Sequence, residues 1–146
     1  MKYTIKNISK YIIASLLFIC STTLLNSCNK DTTGADINLT YQMLSDKTWY
    51  LDYSITGATQ KTYIGQTTYL INFLKDKTMK DSDGLTGVYS IGKSGNTLQI
   101  NVQGKTSNNN DAVFVYNIEY IGSNNLVLTY TLTNATVPTK LYFTTK

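Results

Sequence analysis

From Thr48 to the end of the chain, apolar and polar residues alternate with a period of two, and no later stretch returns to a helical period. Side chains of a strand point to opposite faces in turn, so this pattern marks half-buried β-strands. Trp49, Leu51, Tyr53 and Ile55 are expected on one face of the first strand, with Tyr50, Asp52, Ser54 and Thr56 on the other. Gly57 to Gln66 reads as a long loop, followed by strands at 67–75 and, after Asp76-Lys77, at 78–80. Asp83-Gly84 is a strong hairpin signal, because both positions tolerate positive φ. Strands are then expected at 85–92, 97–103, 112–121, 125–133 and 140–145. These eight strands with mostly short connections predict an antiparallel up-and-down meander. Nothing helical is long enough to cover a sheet, so the apolar face must close on itself as a barrel or fold into a sandwich. Ahead of the strands, Leu39 to Asp46 predicts a short helix with Leu39, Met43 and Leu44 on its apolar side.

The chain opens differently. Lys2, Lys6 and Lys10 precede an uncharged, largely apolar run from Tyr11 to Leu25, the layout of a secretory signal rather than of a membrane span, for which the run is too short. Leu24-Leu25-Asn26-Ser27-Cys28 resembles the lipobox of bacterial lipoproteins. The resemblance implies cleavage before Cys28, lipid on its sulfur and attachment to a membrane. Cys20 is the competitor, but the bulky Ile19 precedes it, whereas the small Ser27 precedes Cys28. The expected organisation is a signal peptide over 1–27, a flexible tether over 28–38 and one β domain over 39–146. Lys30-Asp31 weakly resembles signals that direct lipoproteins to the outer face of the outer membrane, and Asp31-Thr32-Thr33 resembles a bacterial O-glycosylation site.

Composition narrows the function. The chain carries a formal charge of +4, but three of its thirteen lysines fall in the leader, and the other ten face nine acids. A nearly neutral body without arginine argues against nucleic acid as a partner. There is no histidine, and Cys28 is the mature chain's single cysteine. Neither a histidine-activated nucleophile nor an ordinary zinc or copper site can be assembled from that set, so no catalytic residue, metal or cofactor is expected.

Several segments together resemble the small lipocalin-like lipoproteins of Bacteroidetes-type bacteria: Leu44 to Leu51 with its early tryptophan, Phe73 to Thr78, Gly87 to Ile91, and Asn96 to Ile100 with the closing strands. The resemblance implies an eight-stranded lipocalin-like barrel, with a β-sandwich as the alternative, anchored in the cell envelope and most simply in the outer membrane. Lys47 stands where lipocalins carry glycine, and Lys140 is the candidate for the basic residue that stacks on the tryptophan.

The remaining candidates concern ligands. Trp49, Tyr53, Tyr69, Phe73, Tyr89, Tyr116, Tyr120 and Tyr130 are expected on inner rows, where they would line a pocket or fill the core, with Tyr63 and Ile64 as a lid. A cavity above a few hundred Å³ favours a binding protein for a small apolar ligand or an envelope protein; a solid core favours a structural or interaction module. Asp81, Asp83 and Gly84 echo part of a calcium loop, but its twelfth position falls on Gly92, so a plain turn is preferred. Asp52 and Glu119 are placed on a solvated outer face, and no pair of inward acids facing a groove is expected.

Overall fold

The structure is a computed structural model that describes residues 32–64 and 69–146. The leader, Cys20, Cys28 and the first residues of the expected tether, 28–31, lie outside the described residues. Helix α1 (Thr32–Leu44) is followed by β1 (Lys47–Thr56), β2 (Thr59–Thr62), β3 (Leu70–Phe73), β4 (Thr78–Asp81) and β5 (Thr86–Ser94). The chain finishes with β6 (Thr97–Lys105), β7 (Asp111–Ile121), β8 (Asn125–Tyr130) and β9 (Thr139–Thr144). Each strand pairs antiparallel with its neighbour in the order β2-β1-β3-β4-β5-β6-β7-β8-β9, and β1 also pairs with β9 from Tyr50↔Thr144 to Thr56↔Thr139. That last pairing closes an eight-stranded up-and-down barrel, an architecture consistent with a lipocalin-like all-β fold. Closure leaves the sheet with no long free edge, the outcome that alternation without covering helices demands.

The extra strand, β2, was expected to be loop. It forms a hairpin with β1 across Gly57-Ala58, with Gly57 at φ +58, and all four of its residues are exposed. An exposed TQKT stretch carries no alternation, which is why only pairing reveals it. β2 and β3 lie on the same edge of β1, β3 along Lys47–Tyr50 and β2 along Tyr53–Thr56. Between them the Asp52 carbonyl accepts from the Tyr63 N–H at 2.7 Å and the Leu51 N–H donates to the Tyr69 carbonyl at 2.9 Å. The edge is satisfied along its length, as buried backbone requires.

Two bulges reassign faces. The β1–β9 register shifts between Leu51 and Tyr53, so one extra residue at Asp52 turns the rest of β1 over. Ser54 is buried in place of Tyr53, and Tyr53 lies outside, stacked on Tyr142 with ring centres 4.2 Å apart. The β7–β8 register shifts likewise between Ile118 and Tyr120, leaving Tyr120 56% exposed beside the outward Val127. Both tyrosines were expected inside.

One end of the barrel is closed. Helix α1 begins at Thr32 rather than Leu39, so part of the stretch read as a tether is helical, and its buried side is Ile37, Thr40, Tyr41 and Leu44. Leu39 faces water. The helix stops at Asp46, which adopts φ +59 while the Ser45 N–H and hydroxyl both donate to the Tyr41 carbonyl. Leu44, Trp49, Ile71, Phe73, Ile100, Val102, Leu126, Leu128 and Phe143 are essentially inaccessible and form the packed half of the interior. The Trp49 indole N–H donates to the Leu44 carbonyl at 2.9 Å, which ties the helix end to the barrel floor. The Lys47 ammonium lies 5.4 Å from the centre of the Trp49 ring and donates to the Ser123 carbonyl. Lys140, the residue expected there, instead pairs with Glu119 on the outer wall at 2.6 Å.

Candidate functional site

The opposite end of the barrel is a mouth. Around it stand the β1–β2 hairpin, the β4–β5 turn, the β6–β7 loop and the β8–β9 connection. It opens into a cavity of about 590 Å³ with Leu51, Leu85, Phe114, Tyr116 and Leu141 among the lining residues and Lys61, Tyr63, Tyr69, Asp81, Asp83, Thr106, Tyr130 and Leu132 completing it. Near the mouth one inner row is made of small residues. Met79 pairs with Gly87, Gly87 with Gly104 and Gly104 with Ala112. A Cβ on Gly104 would lie 2.2 Å from the Thr86 carbonyl oxygen, and one on Gly87 would lie 2.3 Å from that of Gln103. β5 and β6 therefore approach more closely there than any other residue type permits.

The β4–β5 turn is held by one carboxylate. Asp81 Oδ1 accepts from the backbone N–H groups of Asp83 at 2.9 Å and Leu85 at 2.8 Å, while Oδ2 accepts from the Tyr69 hydroxyl at 2.9 Å. Gly84, at φ +88, lies against Ser107 of the β6–β7 loop. Only Gly84 of the Asp83-Gly84 pair takes positive φ. The turn thus brings Asp81 and Asp83 to the cavity, where no pair of acids was expected. Asp81 was detectable in principle: it is in phase with the buried Met79 two residues earlier, so the alternation of β4 carries it inward.

Three phenols stand beside these acids. Burial, the Tyr116 hydroxyl and the Asp81 carboxylate push the Tyr69 phenol far above its usual range. Burial, Tyr130 and Asp81 do the same to Tyr116. Both stay protonated at any physiological pH and act as hydrogen-bond donors or acceptors. Tyr116 is 5% exposed, stacks on Phe114 and meets Tyr130 edge-on, and its hydroxyl has no hydrogen-bond partner among the described residues. Tyr116 is one of the residues that line the cavity.

The structure divides the sequence-derived candidates. Tyr69, Tyr116 and Tyr130 meet at the cavity, with Tyr63 of the expected lid beside them. Trp49, Phe73 and Tyr89 belong to the packed half; the Tyr89 hydroxyl donates to the Leu74 carbonyl and its ring meets Phe73 edge-on. Burial pushes the Tyr89 phenol up to about 12. Tyr53 and Tyr120 lie on the outer wall, and Ile64 is exposed away from the lining. Glu119 is bound outside by Lys140 and Thr129, which hold its carboxyl below the usual range. Among the described residues no group of three or more histidine, cysteine, aspartate or glutamate side chains is placed to hold a metal, and no helix is long and apolar enough to cross a membrane.

No family model matches the chain, and neither the curated proteins nor the solved structures contain a match.

Proposed function

We propose that this protein is an envelope lipoprotein, anchored through lipid on Cys28, whose lipocalin-like β domain binds a small ligand with a substantial apolar body in the barrel mouth. The observation that carries the reading is the cavity of about 590 Å³ at one end of an otherwise filled barrel. Ligand pockets commonly run from about 300 to 1,000 Å³, with apolar walls and a few convergent polar groups. Leu51, Leu85, Phe114 and Leu141 supply such walls, and the Tyr69, Tyr116 and Tyr130 hydroxyls supply the polar groups. No catalytic role is assigned to this lining. Asp81 accepts from the Asp83 and Leu85 N–H groups and from the Tyr69 hydroxyl, so the first task of its carboxylate is to shape the turn.

A ligand that binds the folded state raises its melting temperature by mass action. Fatty acids, sterols, haem and small aromatic amphiphiles are each expected to be tested this way, with at least one producing a saturable rise that Phe114→Ala or Tyr130→Ala removes. A flat response across the panel overturns the binding reading in favour of a structural module. Mass spectrometry of the protein from its native membrane checks the anchor: an acylated N-terminal cysteine supports it, and an intact leader overturns it.

A further inference from the structure

Two features of the mouth distinguish it from an indifferent greasy cup. The first is the sign of its charge. Asp81 and Asp83 line the cavity against a single lysine, Lys61, and none of the ion pairs among the described residues joins Lys61 to either acid. The Asp83 carboxylate accepts no hydrogen bond from any described residue, its backbone N–H being the part engaged by Asp81. The second is the ring content. The faces of Tyr63, Tyr69, Phe114, Tyr116 and Tyr130 carry negative electrostatic potential, which attracts ammonium groups. The mouth already holds one: the Lys61 ammonium lies 5.1 Å from the centre of the Tyr63 ring. Within this setting Tyr116, a residue only 5% exposed, lines the cavity with a hydroxyl that has no hydrogen-bond partner among the described residues.

We propose that the barrel mouth selects an amphiphilic organic cation: a protonated primary amine whose ammonium sits among Asp83, Asp81 and the tyrosine rings while its apolar body lies against Phe114, Leu51 and Leu141. This rests on the reading of the mouth as a small-molecule site and names the chemical class that the site accepts. An anionic amphiphile such as a fatty acid has to bring its carboxylate towards two carboxylates in an aromatic-lined mouth, with Lys61 alone to offset them. A neutral amphiphile gains the apolar wall and nothing from the charge. Lys61 is then a competitor for the ligand's place, and removing it strengthens the preference.

The test uses three probes with one apolar body and different heads: 4-phenylbutylamine, 4-phenylbutanol and 4-phenylbutanoate, titrated calorimetrically into the full chain at neutral pH. The amine is expected to bind about tenfold or more tightly than either of the others. Asp83→Asn, a change at an exposed rim position, is expected to erase most of that difference while leaving alcohol binding unchanged, and Lys61→Ala to increase it. Equal binding of all three, or tightest binding of the carboxylate, overturns the cation preference and leaves the pocket reading in place. If none of the three binds and the wider panel also gives no melting shift, both fail together. If Asp83→Asn weakens all three probes equally, the residue shapes the mouth and does not select charge, and the proposal falls.

Discussion

The two ends of this barrel are built from similar side chains and do opposite things with them. At the floor, Trp49, Phe73 and Tyr89 are packed under α1, and their polar atoms are spent on backbone carbonyls: Trp49 on Leu44 and Tyr89 on Leu74. At the mouth, Tyr69, Tyr116 and Tyr130 line open space, and the Tyr116 hydroxyl has no partner among the described residues. The difference comes from what stands across from the rings. The floor has a helix delivering Leu44 into the gap, and among the described residues no helix stands above the mouth. Aromatic content alone therefore does not decide between a core and a pocket.

The comparison predicts that stability resides at the floor and recognition at the mouth. Trp49→Ala removes a fully buried ring and its bond to the helix, and is expected to cost about 3–5 kcal/mol in denaturant unfolding. Phe114→Ala, whose ring borders empty space, should cost less than half as much; equal losses would break the contrast. Alkaline pH offers a second probe, one that reads the buried phenols of both ends. An unfolded tyrosine ionises near 10, whereas buried Tyr89 resists until about 12, and Tyr69 and Tyr116 are also shifted upward. The folded state holds protons that the unfolded chain has lost, so this stabilisation is complete below pH 10 and disappears as pH rises through the folded-state values. Melting temperature followed with tyrosinate absorbance should fall from about pH 10 upward, and Tyr89→Phe should blunt the fall.

Smaller effects sharpen the picture within the mouth. Tyr69→Phe takes a donor from the Asp81 carboxylate and is expected to cost about 1–2 kcal/mol. Tyr116→Phe removes a hydroxyl without a described partner and should leave stability within about 0.5 kcal/mol while weakening the bound ligand. A larger stability loss at Tyr116 than at Tyr69 would reverse their assignment as ligand-facing and structural. Least of all, Lys140→Ala on the outer wall is expected to leave denaturant unfolding nearly unchanged, because its pair with Glu119 is solvent-exposed and screened by salt. Glu119 has a lowered carboxyl pKa, so whatever the pair contributes is present at neutral pH and is lost as pH falls through the carboxylate range.

The barrel was legible because each of its strands keeps period two through enough residues to name an inner row: Leu98, Ile100 and Val102 on β6, or Leu126, Leu128 and Tyr130 on β8. What escaped the pattern has local causes. The bulges that put Tyr53 and Tyr120 outside each add one residue to a strand, and a single insertion leaves no mark in composition. The early start of α1 escaped because Thr32, Thr33 and Gly34 are poor helix formers that continue a polar stretch. Tyr69, Tyr116 and Tyr130 could be placed on inner rows, but whether the interior is full depends on which side chains meet across it. Asp81 was hidden by its own success as a turn residue, since the carboxylate that shapes the β4–β5 connection is the one that reaches the cavity.

The way β2 and β3 share one side of β1 carries a further consequence. The chain leaves that side at Tyr63 and rejoins it at Tyr69, and its two moorings fall on consecutive residues of β1, Asp52 and Leu51. Whatever length of polypeptide lies between them closes on nearly the same point, so lengthening it costs only about 0.6 kcal/mol per doubling and leaves every strand pairing in step. An epitope or a fluorophore acceptor peptide spliced in between Tyr63 and Tyr69 is therefore expected to leave the staves uncut.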